Sequence, residues 1–85
     1  MNITIIEQEE KTIKDDKGIF YGVSNYTRQS GKICTFYDRD SIVCQIKLDL
    51  AFFGVTLDIP GMWINLNFVN SLRCVTDGKV AAYWY

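Results

Sequence analysis

Two stretches of the chain alternate strictly between apolar and other positions. Ile42, Cys44, Ile46, Leu48 and Leu50 fall on one side, with Val43, Gln45, Lys47 and Asp49 between them. Met62, Ile64, Leu66 and Phe68 repeat the pattern around Trp63, Asn65 and Asn67. A period of two sends successive side chains to opposite faces, so each stretch predicts a half-buried antiparallel strand. On this pattern Ile42, Cys44, Ile46, Leu48, Ile64 and Leu66 are expected in the core.

The same reasoning places a first strand over residues 2–6, with Ile3 and Ile5 on one face. Residues 7–11 read either as a helical turn supported by a Glu7/Lys11 pair or as the polar continuation of a long bent strand ending at Ile13. Asp15-Asp16-Lys17-Gly18 reads as a hairpin turn, with Gly18 supplying a positive φ. Strands follow over 19–26 and 32–37, separated by the polar loop 27–31. Alternation puts Tyr21 with Ile19 and Val23 on a buried face. Asp38-Arg39-Asp40 turns into the strand over 41–50.

Within residues 51–59 Val55, Leu57 and Ile59 alternate, but Phe52-Phe53-Gly54 fits no simple period, which suits a connection across the end of a barrel. Pro60-Gly61 is a turn before the strand over 62–69. Asp77-Gly78 is a strong short hairpin signal and predicts a last hairpin with arms 72–76 and 79–85. No repeat, linker or low-complexity tract interrupts the chain, so residues 1–85 read as one domain.

Five to seven short strands with tight turns leave barrels and sandwiches. At this length the expectation is an all-β domain, a small five-stranded antiparallel barrel of the oligonucleotide-binding kind with hairpin extensions.

Composition narrows the function classes. The chain has no histidine, which removes the usual general base at neutral pH and the commonest metal ligand. No serine sits in a nucleophile elbow, and Gly18, Gly22 and Gly31 make no phosphate-binding fingerprint. Asp38 and Asp40 flanking Arg39 read as a solvated turn. No enzyme activity and no cofactor are expected. Cys34, Cys44 and Cys74 form no C-x-x-C pair, so no metal or redox motif is indicated. They read as buried free thiols in a reducing compartment, with a disulfide between two of them as the alternative. The N-terminus has no basic leader and no apolar stretch is long enough to span a membrane, so a soluble, cytoplasmic protein is expected.

The formal net charge is −1. Residues 1–17 are acidic on balance, through Glu7, Glu9, Glu10, Asp15 and Asp16. The segment from Tyr26 to Lys47 is weakly basic, through Arg28, Lys32, Arg39 and Lys47. Tyr21, Tyr26, Phe36 and Tyr37 interleave with these cations. Single-stranded nucleic acid is bound by this mixture, because bases stack on aromatic faces while cations track the phosphates. Tyr26 and Phe36 are read as exposed, and Tyr26, Arg28, Lys32, Phe36, Tyr37, Arg39 and Lys47 are the candidate nucleic-acid contacts.

Gly22-Val23-Ser24 followed by Gln29-Ser30-Gly31-Lys32 resembles the Gly-Val-Ser…Ser-Gly-Lys segment of the filamentous-phage single-stranded DNA-binding proteins, the gene-five-protein family. Chain length and the Ile-rich first strand are similar. Pro60-Gly61-Met62-Trp63 resembles that family's turn into a strand, Asp77-Gly78-Lys79-Val80 its closing hairpin, and Cys44-Gln45 a segment of some members. The resemblance implies an oligonucleotide-binding fold, a tight two-fold dimer and cooperative coating of phage or replicating DNA. It matches Tyr26, Arg28 and Lys32 to the family's DNA-contacting loop, and Phe36 or Tyr37 to the aromatic that follows. The chain departs from the family in lacking Pro-Tyr after Gly31-Lys32, in a shorter hairpin between its third and fourth strands, and in a C-terminal strand without basic residues.

Val80 to Tyr85 is apolar on both faces, which predicts a homodimer in which this strand takes part, with cover by residues 7–14 of the same chain as the alternative. The alternative function is a small virus-encoded inhibitor or adaptor that binds a host protein. Cations and aromatics converging on one face favour DNA. An exposed acidic face favours a protein partner.

Overall fold

A computed structural model of the chain describes residues 1–27, 30–48 and 59–85. Among them run β1 (Asn2–Glu7), β2 (Glu10–Lys14), β3 (Gly18–Asn25), β4 (Ile33–Asp38), β5 (Ser41–Lys47), β6 (Met62–Phe68), β7 (Leu72–Thr76) and β8 (Lys79–Trp84), and no helix. The fold is all-β, as the alternation predicts. The strands form two antiparallel four-stranded sheets, β1-β8-β3-β6 and β2-β7-β4-β5, and not a closed barrel.

The two sheets share one strand order, and the long strands β1–β2 and β7–β8 bend to serve both. The ladder running from Asn2↔Trp84 to Glu7↔Lys79 continues, past a bend, from Glu10↔Val75 to Lys14↔Leu72. Residues 7–11 therefore belong to the bent strand, with Gln8 at φ 48° marking the bend. Asp77-Gly78 is the matching bend of the partner strand and closes no hairpin, since β7 pairs with β2 and β4 while β8 pairs with β1 and β3. Likewise Asp15 to Gly18 joins two different sheets, and Gly18 is not among the positive-φ residues. Glycine is needed there for space: a Cβ would come 2.6 Å from the Phe68 ring and closer still to the Tyr85 carbonyl oxygen.

Between the sheets lie Ile6, Phe20, Val23, Phe36, Ile46, Leu48, Phe68, Leu72 and Val80, all buried. The Phe20 and Phe36 rings meet at 4.1 Å between centroids. Burial of each such side chain contributes roughly 1.5–3 kcal/mol. Cys34 and Cys74 are buried beside them and Cys44 is half-buried; all three are free thiols.

Bulges change the expected core. Ile46 and Leu48 are buried as expected, and Cys44 and Ile64 pack partly against the core. Ile42 is 61% exposed, because the register between β4 and β5 slips around Val43, from Phe36↔Cys44 to Tyr37↔Ile42, and reverses the face. Leu66 is 38% exposed on the edge strand β6, which bulges at Asn65 with φ 58°. Tyr21 is half-buried for the same kind of reason: β3 slips against β8 between Phe20 and Gly22, so Tyr21 leaves the face of Val23.

The C-terminal strand β8 lies inside its sheet, between β1 and β3. Val80, Ala81, Ala82 and Tyr83 are fully buried within one chain. Val80 and Ala82 face the other sheet. On the opposite face Tyr83 accepts a hydrogen bond from Ser24 Oγ at 3.2 Å, and Ser24 Oγ accepts one from the Gly61 N–H at 2.8 Å. Val80 to Tyr83 are thus covered by their own chain, while Trp84 is half-buried and Tyr85 exposed. The expected connection over 51–59 lies outside the described residues except at Ile59. Among the described residues no helix is long and apolar enough to cross a membrane.

Candidate nucleic-acid interface

Two exposed surfaces carry aromatic side chains with cations nearby. The first is the outer face of the sheet β2-β7-β4-β5. Register aligns Ile42, Tyr37, Arg73 and Thr12 in one row, Gln45, Thr35, Val75 and Glu10 in the next, and Lys47 with Ile33 in a third. The Arg73 guanidinium lies over the Tyr37 ring, 4.2 Å from its centroid. It also pairs with Glu10 and donates to the Arg39 carbonyl oxygen at 3.3 Å, which holds it in one orientation. Gln45 Nε2 donates to Thr35 Oγ1 at 3.1 Å.

Of the sequence candidates, Tyr37 and Lys47 lie on this face two rows apart, with Arg39 in the turn beyond Tyr37. Lys32 lies at the opposite end, where its carbonyl accepts from the Leu48 N–H at 2.7 Å. Lys32 and Lys47 at one end and Arg39 at the other do not converge on a single patch. Phe36 is corrected outright. It is fully buried, because Cys34 and Phe36 face the core while Ile33, Thr35 and Tyr37 face outward. Tyr26 is half-buried and associated with the other sheet, where burial and its neighbour Tyr83 raise its hydroxyl pKa. Arg28 lies outside the described residues. Arg73 was missed, although Leu72-Arg73-Cys74 alternation already places it opposite a buried cysteine.

The second surface lies at the β3–β6 side of the other sheet. Tyr21 meets Trp63 edge-on at 5.2 Å between centroids and Tyr85 edge-on at 5.4 Å. Trp63 is 57% exposed and Tyr85 48% exposed. Tyr85 is fixed by paired backbone hydrogen bonds with Ile19, at 2.9 and 3.2 Å. It lines an open cleft of about 550 Å³ with Lys14, Lys17, Ile19, Asn67 and Val69. Lys14 Nζ reaches over the Trp84 ring, 5.7 Å from its centroid. Sequence reasoning overlooked this cluster because strict alternation buries Tyr21 and the bulge releases it.

Among the described residues no group of three or more His, Cys, Asp or Glu could hold a metal ion. The acidic residues Glu7, Glu9, Glu10, Asp15 and Asp16 are all exposed along β1, β2 and the turn after it. Comparison with protein-family models gives no match, and neither the curated proteins nor the solved structures give one.

Proposed function

We propose that the protein binds single-stranded nucleic acid, with Trp63 and Tyr85 as stacking platforms and Lys14 and Lys17 as phosphate contacts. The observation that carries this reading is the exposed aromatic cluster itself: two large rings held open to solvent around Tyr21, beside a cleft with two lysines at its rim. Stacking on such rings contributes roughly 1–3 kcal/mol per base and tolerates any sequence. Tyr37, Arg73, Arg39 and Lys47 offer a second track on the opposite sheet, where the Arg73 guanidinium is stacked on the Tyr37 ring. The resemblance to the filamentous-phage proteins suggests the same class of ligand, phage or replicating DNA coated by an oligonucleotide-binding type of fold, although it assigns the contacts to Tyr26, Arg28 and Lys32.

A titration with oligo-dT at low salt tests it, followed by tryptophan fluorescence. Trp63 emission should be quenched on binding, and Trp63→Phe should abolish most of the signal change. Lys17→Ala should lower the slope of log affinity against log salt by about one. No binding to long oligo-dT at low salt would refute the proposal.

The second reading is a protein-binding inhibitor or adaptor. It is favoured by the exposed acids along β1 and β2, which form an acidic margin on a chain of net charge −1.

A further inference from the structure

The four sheet edges are not equally protected. β2 carries Lys11 and Lys14 and slips register between Thr12 and Lys14. β5 slips at Val43, and β6 bulges at Asn65 in the left-handed region. Charges and bulges of this kind are the usual defences of an exposed edge. β1 has neither. Its pairing with β8 runs unbroken from Asn2 to Glu7, and its first five residues, Asn-Ile-Thr-Ile-Ile, are uncharged and mostly β-branched.

The direction of its free hydrogen-bonding groups follows from the ladder. Gln8 N–H donates to the Gly78 carbonyl, while the Lys79 carbonyl accepts from Tyr26 on the other side. In an antiparallel ladder alternate residues bond to the same neighbour. Asn2, Thr4 and Ile6 therefore bond to β8, and Ile3, Ile5 and Glu7 direct their N–H and C=O groups away from the sheet. Among the described residues nothing pairs with them. Ile3 and Ile5 also leave their side chains 39% and 41% exposed, on the outer face next to buried Tyr83 and Ala81.

We propose that β1 is a self-association edge: two copies pair β1 to β1 antiparallel about a two-fold axis at Thr4, joining their sheets into one eight-stranded sheet. A second copy fits this edge better than an arbitrary strand. With Thr4 opposite Thr4 of the second copy, each Ile3 faces an Ile5, and both isoleucines belong to the outward-bonding set. Each Glu7 then faces position 1 of the other copy, so no like charges meet. The contact extends the apolar outer face across the axis and satisfies the free backbone groups of both strands. It uses neither Trp63 nor Lys17, so it stands or falls apart from nucleic-acid binding.

Sedimentation equilibrium on the intact chain at micromolar concentration, without nucleic acid, tests the proposal. The wild type should show twice the chain mass, falling toward one chain on dilution. Ile5→Pro removes one outward N–H and leaves the bonds to β8 intact, so it should give a folded monomer. Ile3→Lys sets each lysine against an Ile5, with its like charge diagonally across the axis, and should do the same if the proline variant fails to fold. Ile42→Lys, on the other sheet's outer face, should remain dimeric. A wild type that stays monomeric over a tenfold rise in concentration would overturn the proposal, as would Ile5→Pro or Ile3→Lys that folds and still dimerises.

Discussion

Gln8 donates its backbone N–H to the Gly78 carbonyl at 2.9 Å, at the level where both long strands bend from one sheet into the other. Around Gly78 the segments just beyond the ends of β3, β4 and β5 crowd in. A Cβ there would lie 3.1 Å from Leu48 Cδ1 and 3.1 Å from Lys32 Cβ, and would collide with Thr27 Oγ1, which itself accepts from the Lys79 N–H at 2.8 Å.

Gly78→Ala should therefore destabilise the fold by about 1–3 kcal/mol, the cost of overpacking a filled site. Urea unfolding followed by far-ultraviolet circular dichroism should show a lower midpoint with an unchanged slope.

Phe36→Ala separates core from surface. The ring is fully buried against Phe20, so its removal should cost about 3–5 kcal/mol of stability. Tyr37→Ala, one residue on, removes an outward ring and should cost far less. Equal losses in urea unfolding would contradict the facing of β4.

The thiols give stability an alkaline limit. Burial pushes Cys74 up to about 12 and Cys44 up to about 11, and raises Cys34 further, with added repulsion from the neighbouring thiolates for Cys34 and Cys74. Unfolded thiols titrate near ~8.5, so the folded chain binds more protons above that pH. The stability from neutral buried thiols is whole below about pH 8.5 and is lost as pH rises through the folded values, by at most about 1.4 kcal/mol per pH unit per thiol. Unfolding free energy measured from pH 8 upward should fall, and more gently in Cys74→Ala. At neutral pH a thiol reagent should modify half-buried Cys44 first and reach Cys34 and Cys74 only on unfolding.

Asp38 sets the acid side. Its carboxylate accepts N–H donors from Val69 at 2.8 Å, Asn70 at 3.0 Å and Ser71 at 3.1 Å, and these bonds hold its pKa below the ordinary carboxylate value, that of Val69 foremost. Its contribution is present above about pH 3.9, the unfolded value, and is lost as pH falls through the lower folded one. Asp38→Asn should lower stability at neutral pH and make the acid-unfolding curve shallower.

Much of the architecture was legible from residue order. β3 through β6 and the facing of Ile46, Leu48 and Cys74 follow from alternation, and the bent reading of residues 7–13 stands. Other features escaped for identifiable reasons. Asp-Gly at 77–78 satisfies a strand bend as readily as a hairpin, and nothing local distinguishes the two. Ile33-Cys34-Thr35-Phe36-Tyr37 is apolar on both parities, so periodicity cannot say that Phe36 points inward. The bulges at Tyr21, Val43 and Asn65 each shift a face by one residue. That single displacement exposes Ile42 and brings Tyr21 between Trp63 and Tyr85. Arg28 was a candidate from composition and lies outside the described residues.

The placement of the last long strand also governs how the chain reaches this state. β7 and β8 fill the interior of both sheets, between the first strand pair and β3 and β4. Until they insert, β1 and β2 have no neighbour to bond, and β4 and β5 form the principal pairing between segments close in sequence. Such distant pairing closes large loops before it is rewarded, which slows folding. Refolding should pass its main barrier as residues 72–84 dock, so the final segment acts as the keystone of assembly, and shortening it should leave a β4–β5 hairpin without a sandwich.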